Sequence, residues 1–273
     1  MKDHKFDHFA FSRLPFTDDI KTAFLDAERK EVLKDMKNFI RRRGFAVLTG
    51  SPGTGKTMLL NHFCRELNPN ENKIIYIPFS MLKPPDMLKS ICVKLDIVPV
   101  VSTTKMLGKI QECITAMQPV NPILILDEIQ KVTYPTMEIV RLMTNVNFEE
   151  KNLFSVIMSG NDEFLQHVRL RIYEPLRQRI SCYRRLNPLK RNDVSEYINH
   201  QFESAGASHK IMTEQAVSLM HDLTSGIPRI INKFCFAALE YAADDNSEII
   251  DMKHIDRAAE LVMPSIPEVN CET

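Results

Sequence analysis

The segment Gly50-Ser51-Pro52-Gly53-Thr54-Gly55-Lys56-Thr57 constrains this chain more than any other stretch of it. It fills the spacing G-x-x-x-x-G-K-[ST] completely, between the apolar run Phe45 to Thr49 and the apolar start Met58-Leu59-Leu60. The implied order is strand, glycine loop, helix. Glycines let successive backbone N–H groups wrap an anion, and the helix start adds the positive end of its dipole. Lys56 is placed to reach β- and γ-phosphates, and the Thr57 hydroxyl to ligate magnesium. Three of the chain's eight glycines fall in this loop, which speaks against a chance turn. Residues 50–58 are therefore expected to hold the phosphates of ATP with Mg2+.

Such a loop needs a sheet behind it. Ile74 to Ile77, Ile123 to Leu126, Phe154 to Ser159 and Cys182 to Leu186 read as four further strands, with helix-period segments between them. That alternation predicts an α/β layer architecture. Ile123-Leu124-Ile125-Leu126 is continuously apolar and suits a central parallel strand covered on both faces. After Pro188 only helices are expected. Asn192 can cap one in which Val194, Tyr197, Ile198 and Phe202 share a face, with Gly206 ending it. Others follow over Thr213 to Leu223, from Pro228 through Leu239, and over Asp251 to Val262. The predicted domains are an α/β core over 1–188, including an N-terminal segment on the adenine side, a helical lid over 189–263 and a flexible tail over 264–273.

Asp127-Glu128 follows the central strand directly. Two carboxylates at the end of a buried strand are costly unless they face a cation or water. Asp127 is expected to orient magnesium and Glu128 to polarise the attacking water. Asn161, just past the fourth strand, stands where a polar side chain can help place that water, although an Asn there is often a plain turn residue. Arg169 to Arg191 holds eight basic residues and Glu174 as its single acid. Much of such a run is solvated face. One arginine reaching a neighbouring subunit's nucleotide would stabilise the transferring phosphoryl group, and Arg179 is the choice, with Arg177 in reserve. Arg229 lies in the first turn of a lid helix, where a cation opposes the helix dipole, so a reach toward the γ-phosphate would explain it.

Lys plus Arg and Asp plus Glu number 35 each, so no global field draws the chain onto nucleic acid, and any such contact needs a local patch. No apolar run approaches the roughly 18 residues of a membrane span, and the N-terminus has no signal-peptide apolar block. A cytoplasmic protein without a membrane partner is expected. Six scattered cysteines without a Cys-x-x-Cys pair read as free thiols rather than disulfides or zinc ligands.

From Phe9 to about Val262 the chain resembles the AAA+ ATPases of the ExeA/TnsC group. The resemblance runs through Leu14-Pro15-Phe16, Gly44 to Gly50, Asp127-Glu128-Ile129-Gln130, Arg141-Leu142 with Asn145, and Gly160-Asn161-Asp162-Glu163. It continues through Leu176-Arg177-Gln178-Arg179-Ile180, Leu186-Asn187-Pro188-Leu189 and Gly226-Ile227-Pro228-Arg229. It implies a P-loop AAA+ core with a five-stranded parallel sheet in order 5-1-4-3-2 and a C-terminal helical lid. It also implies Asn161 as sensor 1, Arg179 as trans finger and Arg229 as sensor 2. Asn161-Asp162 departs from the Gln-Pro usual in secretion-type relatives.

The resemblance implies two tasks. TnsC-like regulators assemble with ATP into rings or filaments on double-stranded DNA, recruit a transposase, sometimes through a target-selection protein, and disassemble on hydrolysis. ExeA-like ATPases serve envelope assembly and carry a transmembrane segment and a peptidoglycan-binding region after the ATPase domain. This chain stops about ten residues past the lid, so the transposition regulator, with slow, partner-stimulated turnover, is the first expectation; a helicase-loader-like adaptor is the third. DNA contacts are expected from Thr103, Thr104, Lys105 and Lys109, where hydroxyls, charge and a helix start offer themselves to phosphate.

Overall fold

The computed structural model describes residues 6, 9, 11–16, 23–78, 83–143 and 153–262. Asn145 and the tail 264–273, with Cys271, lie outside the described residues. The chain divides into two compact units, Leu25–Asn187 and Met1–Phe24 with Pro188–Thr273.

The larger unit is built on β1 (Phe45–Thr49), β2 (Asn72–Ile77), β3 (Asn121–Leu126), β4 (Ser155–Ser159) and β5 (Ile180–Arg185). They form one five-stranded sheet in order β2-β3-β4-β1-β5, every neighbouring pair parallel. This is the expected order. β1 has the expected ends, β2, β3 and β4 differ from expectation by one or two residues at their starts, and β5 differs at both ends; it begins at Ile180, because its pairing with Phe45 starts before a register shift. Parallel strands require covered faces, and two apolar layers cover these. On one side Val32, Leu33, Met36 and Phe39 of α1 (Ala27–Ile40) and Leu59, Leu60 and Phe63 of α2 (Lys56–Glu66) pack on Ala46, Leu48, Ile123, Ile125 and Ile157. On the other, the alternating residues Val47, Leu124, Leu126, Val156 and Met158 meet apolar residues of α3 (Pro84–Lys94), α4 (Thr103–Ala116) and α5 (Tyr134–Met143). The period-2 alternation of side chains thus sends odd and even strand residues into separate cores. Helices α6 (Glu163–Arg169) and α7 (Glu174–Arg177) lead from β4 to β5.

The smaller unit holds α8 (Arg191–Ala205), α9 (Glu214–Thr224), α10 (Pro228–Asp244) and α11 (Met252–Val262). Lys190, not Asn192, stands at the N-cap of α8. Gly206 ends that helix at φ +106°, a left-handed position suited to glycine. Thr213 caps α9 through its hydroxyl, which accepts from the Ala216 amide at 3.3 Å. One expectation is corrected here. The N-terminal segment groups with the helical unit rather than with the α/β core. The reason is aromatic: Phe6, Phe9 and Phe16 are buried with Val194, Ile198 and Phe202, and Phe16 meets Phe202 edge-on at 5.0 Å. Main-chain and hydroxyl bonds from Ser12 to the Ala205 carbonyl, at 2.8 and 2.9 Å, fasten it further.

Among the described residues no helix is long and apolar enough to cross a membrane, and no group of three or more His, Cys, Asp and Glu is placed to hold a metal. Cys64, Cys92, Cys113, Cys182 and Cys235 are free thiols.

Candidate nucleotide site

The glycine loop joins the end of β1 to the first turn of α2. Gly53 and Gly55 sit at φ +86° and +96°, where a β-carbon is strained, and Gly55 is the N-cap of α2. Gly50 passes so close to β5's exit that a β-carbon would lie 2.4 Å from the Leu186 carbonyl oxygen. No side chain caps α2. Its first amide N–H groups therefore point outward as donors for an anion. The Lys56 ammonium donates to the carbonyls of Gly50 at 2.8 Å and Ser51 at 3.1 Å, which draws it along the loop. Thr54 turns its hydroxyl to the Ser51 carbonyl at 2.9 Å and so tightens the turn from inside. Pro52 is exposed at the loop's tip, and Met58 follows Thr57 within α2.

Behind the loop stands an ion pair that sequence reading missed. Arg29 is buried, bonded through its guanidinium to the Asp26 carboxylate, and it donates 2.8 Å to the Thr54 carbonyl. Asp26 also caps α1, accepting from the Arg29 amide at 2.7 Å. A charged pair in this low-dielectric position is costly unless every group has a partner; here the loop's own carbonyl completes the set. Arg29 lies 21 positions before Gly50 in a helix of ordinary amphipathic pattern, so nothing in the sequence marks it.

Across the sheet, β3 delivers Asp127 to the same place. The Thr57 hydroxyl donates to Asp127 Oδ2 at 2.8 Å, and the Tyr76 hydroxyl donates to the same oxygen at 3.1 Å. The other oxygen accepts from the Glu128 amide at 3.0 Å. Burial, followed by the neighbouring Asp127 charge and its hydrogen bond, holds the Tyr76 phenol well above its ordinary pKa, so it stays a donor. Tyr76 enters because β2 and β3 run in register, Ile77 opposite Leu126. Its sole sequence signal is a polar hydroxyl within the apolar run Ile74 to Ile77.

Glu128 adopts φ +56°, a left-handed conformation uncommon for a glutamate. It opens a single 3-10 turn, Ile129–Lys131. One oxygen, Oε2, accepts from Gln130 Nε2 at 2.7 Å and lies 3.7 Å from the Lys131 ammonium. Asn161 follows β4 next to this turn. Its amide N–H donates to Gln130 Oε1 at 3.1 Å, while its side-chain oxygen accepts from the Glu163 amide at 3.1 Å and so serves the start of α6.

The donor set fits a triphosphate with a divalent cation. An ammonium, an uncapped helix start and a hydroxyl–carboxylate pair stand within one loop-and-strand-end region, and Thr57 with Asp127 is the pair that would hold the metal. A divalent cation held there would supply charge neutralisation for the phosphates.

A family model described as an AAA domain matches residues 40–168. The chain is 33% identical over 200 residues to general secretion pathway protein A of Aeromonas hydrophila. That match takes in 72% of this chain, which spans only 36% of the length of the relative. Among solved structures, Cdc6p from Pyrobaculum aerophilum superposes with a TM-score of 0.73 at 16% identity, covering 90% of this chain and 70% of that one. The ORC1 protein of Aeropyrum pernix, solved in complex with DNA, gives a TM-score of 0.68 at 18% identity, with 88% and 67% covered. At such identities these likenesses speak for the fold alone.

The fold is that of the P-loop AAA+ ATPases.

The other arginines singled out from the sequence occupy different surroundings. Arg179, half-buried after α7, donates to the Arg141 carbonyl at the end of α5 at 3.3 Å. Burial first, and the Arg141 charge second, pull its pKa below the usual guanidinium value. Arg177 is more exposed and donates to the carbonyls of Val168 and Arg169 at 3.3 and 3.4 Å. Much of the basic run is paired: Arg184 with Asp35, Arg185 with Asp162 at 2.7 Å, and Arg191 with Asp222. Arg229 opens α10 in the helical unit, one residue after Pro228. On α4, Thr104, Lys105 and Lys109 are exposed and Thr103 is half-buried. That helix carries its own cap, however. The Lys105 amide donates to Ser102 Oγ at 3.4 Å and is not on offer to a phosphate, contrary to expectation.

Proposed function

We propose that this chain binds Mg-ATP in the loop Gly50–Thr57 and hydrolyses it, with Glu128 as the group that draws the proton from water. The observation that carries this reading is the 2.8 Å bond from Thr57 to Asp127 beside an α2 start without a side-chain cap. Arg179 from a neighbouring copy would complete the charge stabilisation, Asn161 would help place the water, and the assembly would be a homo-oligomer.

For the task of the motor, we favour assembly within a secretion pathway. Its support is the 33% identity to general secretion pathway protein A, over 72% of this chain. The transposition reading, placed first from the sequence, rested on where the chain ends, and that says nothing of its task. The exposed Thr104, Lys105 and Lys109 keep duplex DNA in the experiment, though no longer as the leading partner.

The test is turnover of purified protein, with fluorescent-ATP binding measured alongside, in wild type, Lys56→Ala and Glu128→Gln. Lys56→Ala should lose binding; Glu128→Gln should keep binding and lose turnover by roughly 10² or more. Retained nucleotide binding in Lys56→Ala sinks the site. Adding duplex DNA to the wild type separates the tasks: DNA-dependent assembly under ATP would restore the transposition-type reading.

A further inference from the structure

Between the carboxylate assigned to the water and the strand end that faces it stands one amide side chain. Gln130 is half-buried, and it uses both ends of its amide. Its Nε2 donates to Glu128 Oε2 at 2.7 Å, and its Oε1 accepts the Asn161 N–H at 3.1 Å. The seat is cut to this amide. At Gly160, the residue before Asn161, a β-carbon would lie 2.5 Å from Gln130 Oε1 and 2.7 Å from Ile129 Cγ1. Any other residue at 160 would expel the amide or shift the turn that carries Glu128.

We infer that Gln130 is a positioning residue for hydrolysis: it holds the Glu128 carboxylate in the orientation used on water and ties that orientation to the Asn161 segment. Three features lead there. Glu128 sits in a left-handed conformation with its side chain about half exposed, where a glutamate without a tether samples several rotamers. The contacts from Gln130 and Lys131 both fall on Oε2, which leaves Oε1 as the oxygen to accept the proton. The far end of the amide rests on main chain rather than on the Asn161 side chain, whose oxygen serves α6. A side-chain exchange at 161 alone would therefore leave the tether standing, whereas loss of the Gln130 amide would release Glu128. The gain is one of orientation, since a base must stay within hydrogen-bond reach of the proton it takes.

This rests on Glu128 acting as proposed above, and the experiment keeps the two apart. Gln130→Ala, Gln130→Glu and Glu128→Gln are compared for kcat, for KM, and for ADP affinity with a fluorescent ADP. Gln130→Ala should lower kcat about tenfold or more with ADP affinity within about twofold of wild type. Gln130→Glu places a second carboxylate against Glu128. The exchange keeps the side-chain length but puts an acceptor where the Nε2 donor stood, so kcat should fall as in Gln130→Ala while KM and ADP affinity hold, a split that a purely structural role would not produce. Turnover within about twofold of wild type in Gln130→Ala overturns the inference. So does a parallel loss of ADP affinity and turnover, which marks a structural role, and so does wild-type kcat in Gln130→Glu. Normal turnover in Glu128→Gln would instead remove the base itself.

Discussion

The buried pair behind the glycine loop allows a quantitative test. In Arg29→Met the aliphatic stem stays and the guanidinium goes. Asp26, with its side chain 5% exposed, then keeps its charge without the partner that balances it. Removing one member of a buried pair costs roughly 3–5 kcal/mol. The Thr54 carbonyl also loses its 2.8 Å donor, which adds about 1 kcal/mol or more if no water replaces it. The helix cap is not lost, since Asp26 Oδ1 still accepts from the amide at position 29. A destabilisation of about 4–6 kcal/mol follows for the α/β unit, a large share of the ~5–15 kcal/mol available to a folded domain. The double variant Asp26→Asn with Arg29→Met removes the stranded charge and keeps a good cap; it should recover about half of that loss. Urea unfolding followed by far-UV circular dichroism measures all three proteins, and fluorescent-ATP binding reports on the loop. The single variant should bind ATP more weakly, because Thr54 no longer has its anchor. A single variant within about 1 kcal/mol of wild type, or a double variant no more stable than the single, would refute the reasoning.

Two further expectations concern other parts of the molecule. At Gly226, φ is +70° and a β-carbon would lie 2.0 Å from the Leu189 carbonyl oxygen, so Gly226→Ala should destabilise the helical unit by roughly 2 kcal/mol or more. Hydrogen exchange should then rise in α8 to α10 and stay unchanged in the β-sheet; equal protection in both proteins would show the turn to be more adaptable than its geometry implies. Burial raises the Cys64 thiol from an ordinary 9.0 to about 11. The folded state then holds its proton more tightly than the unfolded one. That contribution is full below pH 9 and is lost as pH rises toward 11. Cys64→Ala should flatten this alkaline decline in stability; an identical decline in both proteins would assign it to other groups.

How much of this site could be read in the sequence follows from the kind of contact each residue makes. Residues 50–57 announce themselves because anion binding by backbone N–H groups demands glycines, a lysine and a hydroxyl at consecutive positions. Asp127 and Glu128 were legible for a related reason: carboxylates that end a continuously apolar strand are costly there unless a cation or water faces them. Tyr76 and Arg29 carry no such mark, and Gln130 stands in the family motif without a role that the sequence shows. Each acts through one partner that is distant in sequence or turned by a bend. Tyr76 meets Asp127 through strand register, Gln130 spans from Glu128 to Asn161 across two strand ends, and Arg29 reaches Thr54 from a helix on the sheet's face.

The sheet illustrates the same division. Local hydrophobic runs and their spacing were enough for five strands alternating with helices, because buried strands and crossover helices each leave a periodic signature; the order of the strands came from the family resemblance. The N-terminal segment had no such signature. Phe6, Phe9 and Phe16 are apolar wherever they pack, and only the free aromatic face around Phe202 decided that they join the helical unit. Side-chain chemistry that repeats along the chain is written in the sequence. Contacts made once, between surfaces that exist only after folding, are settled by the tertiary structure.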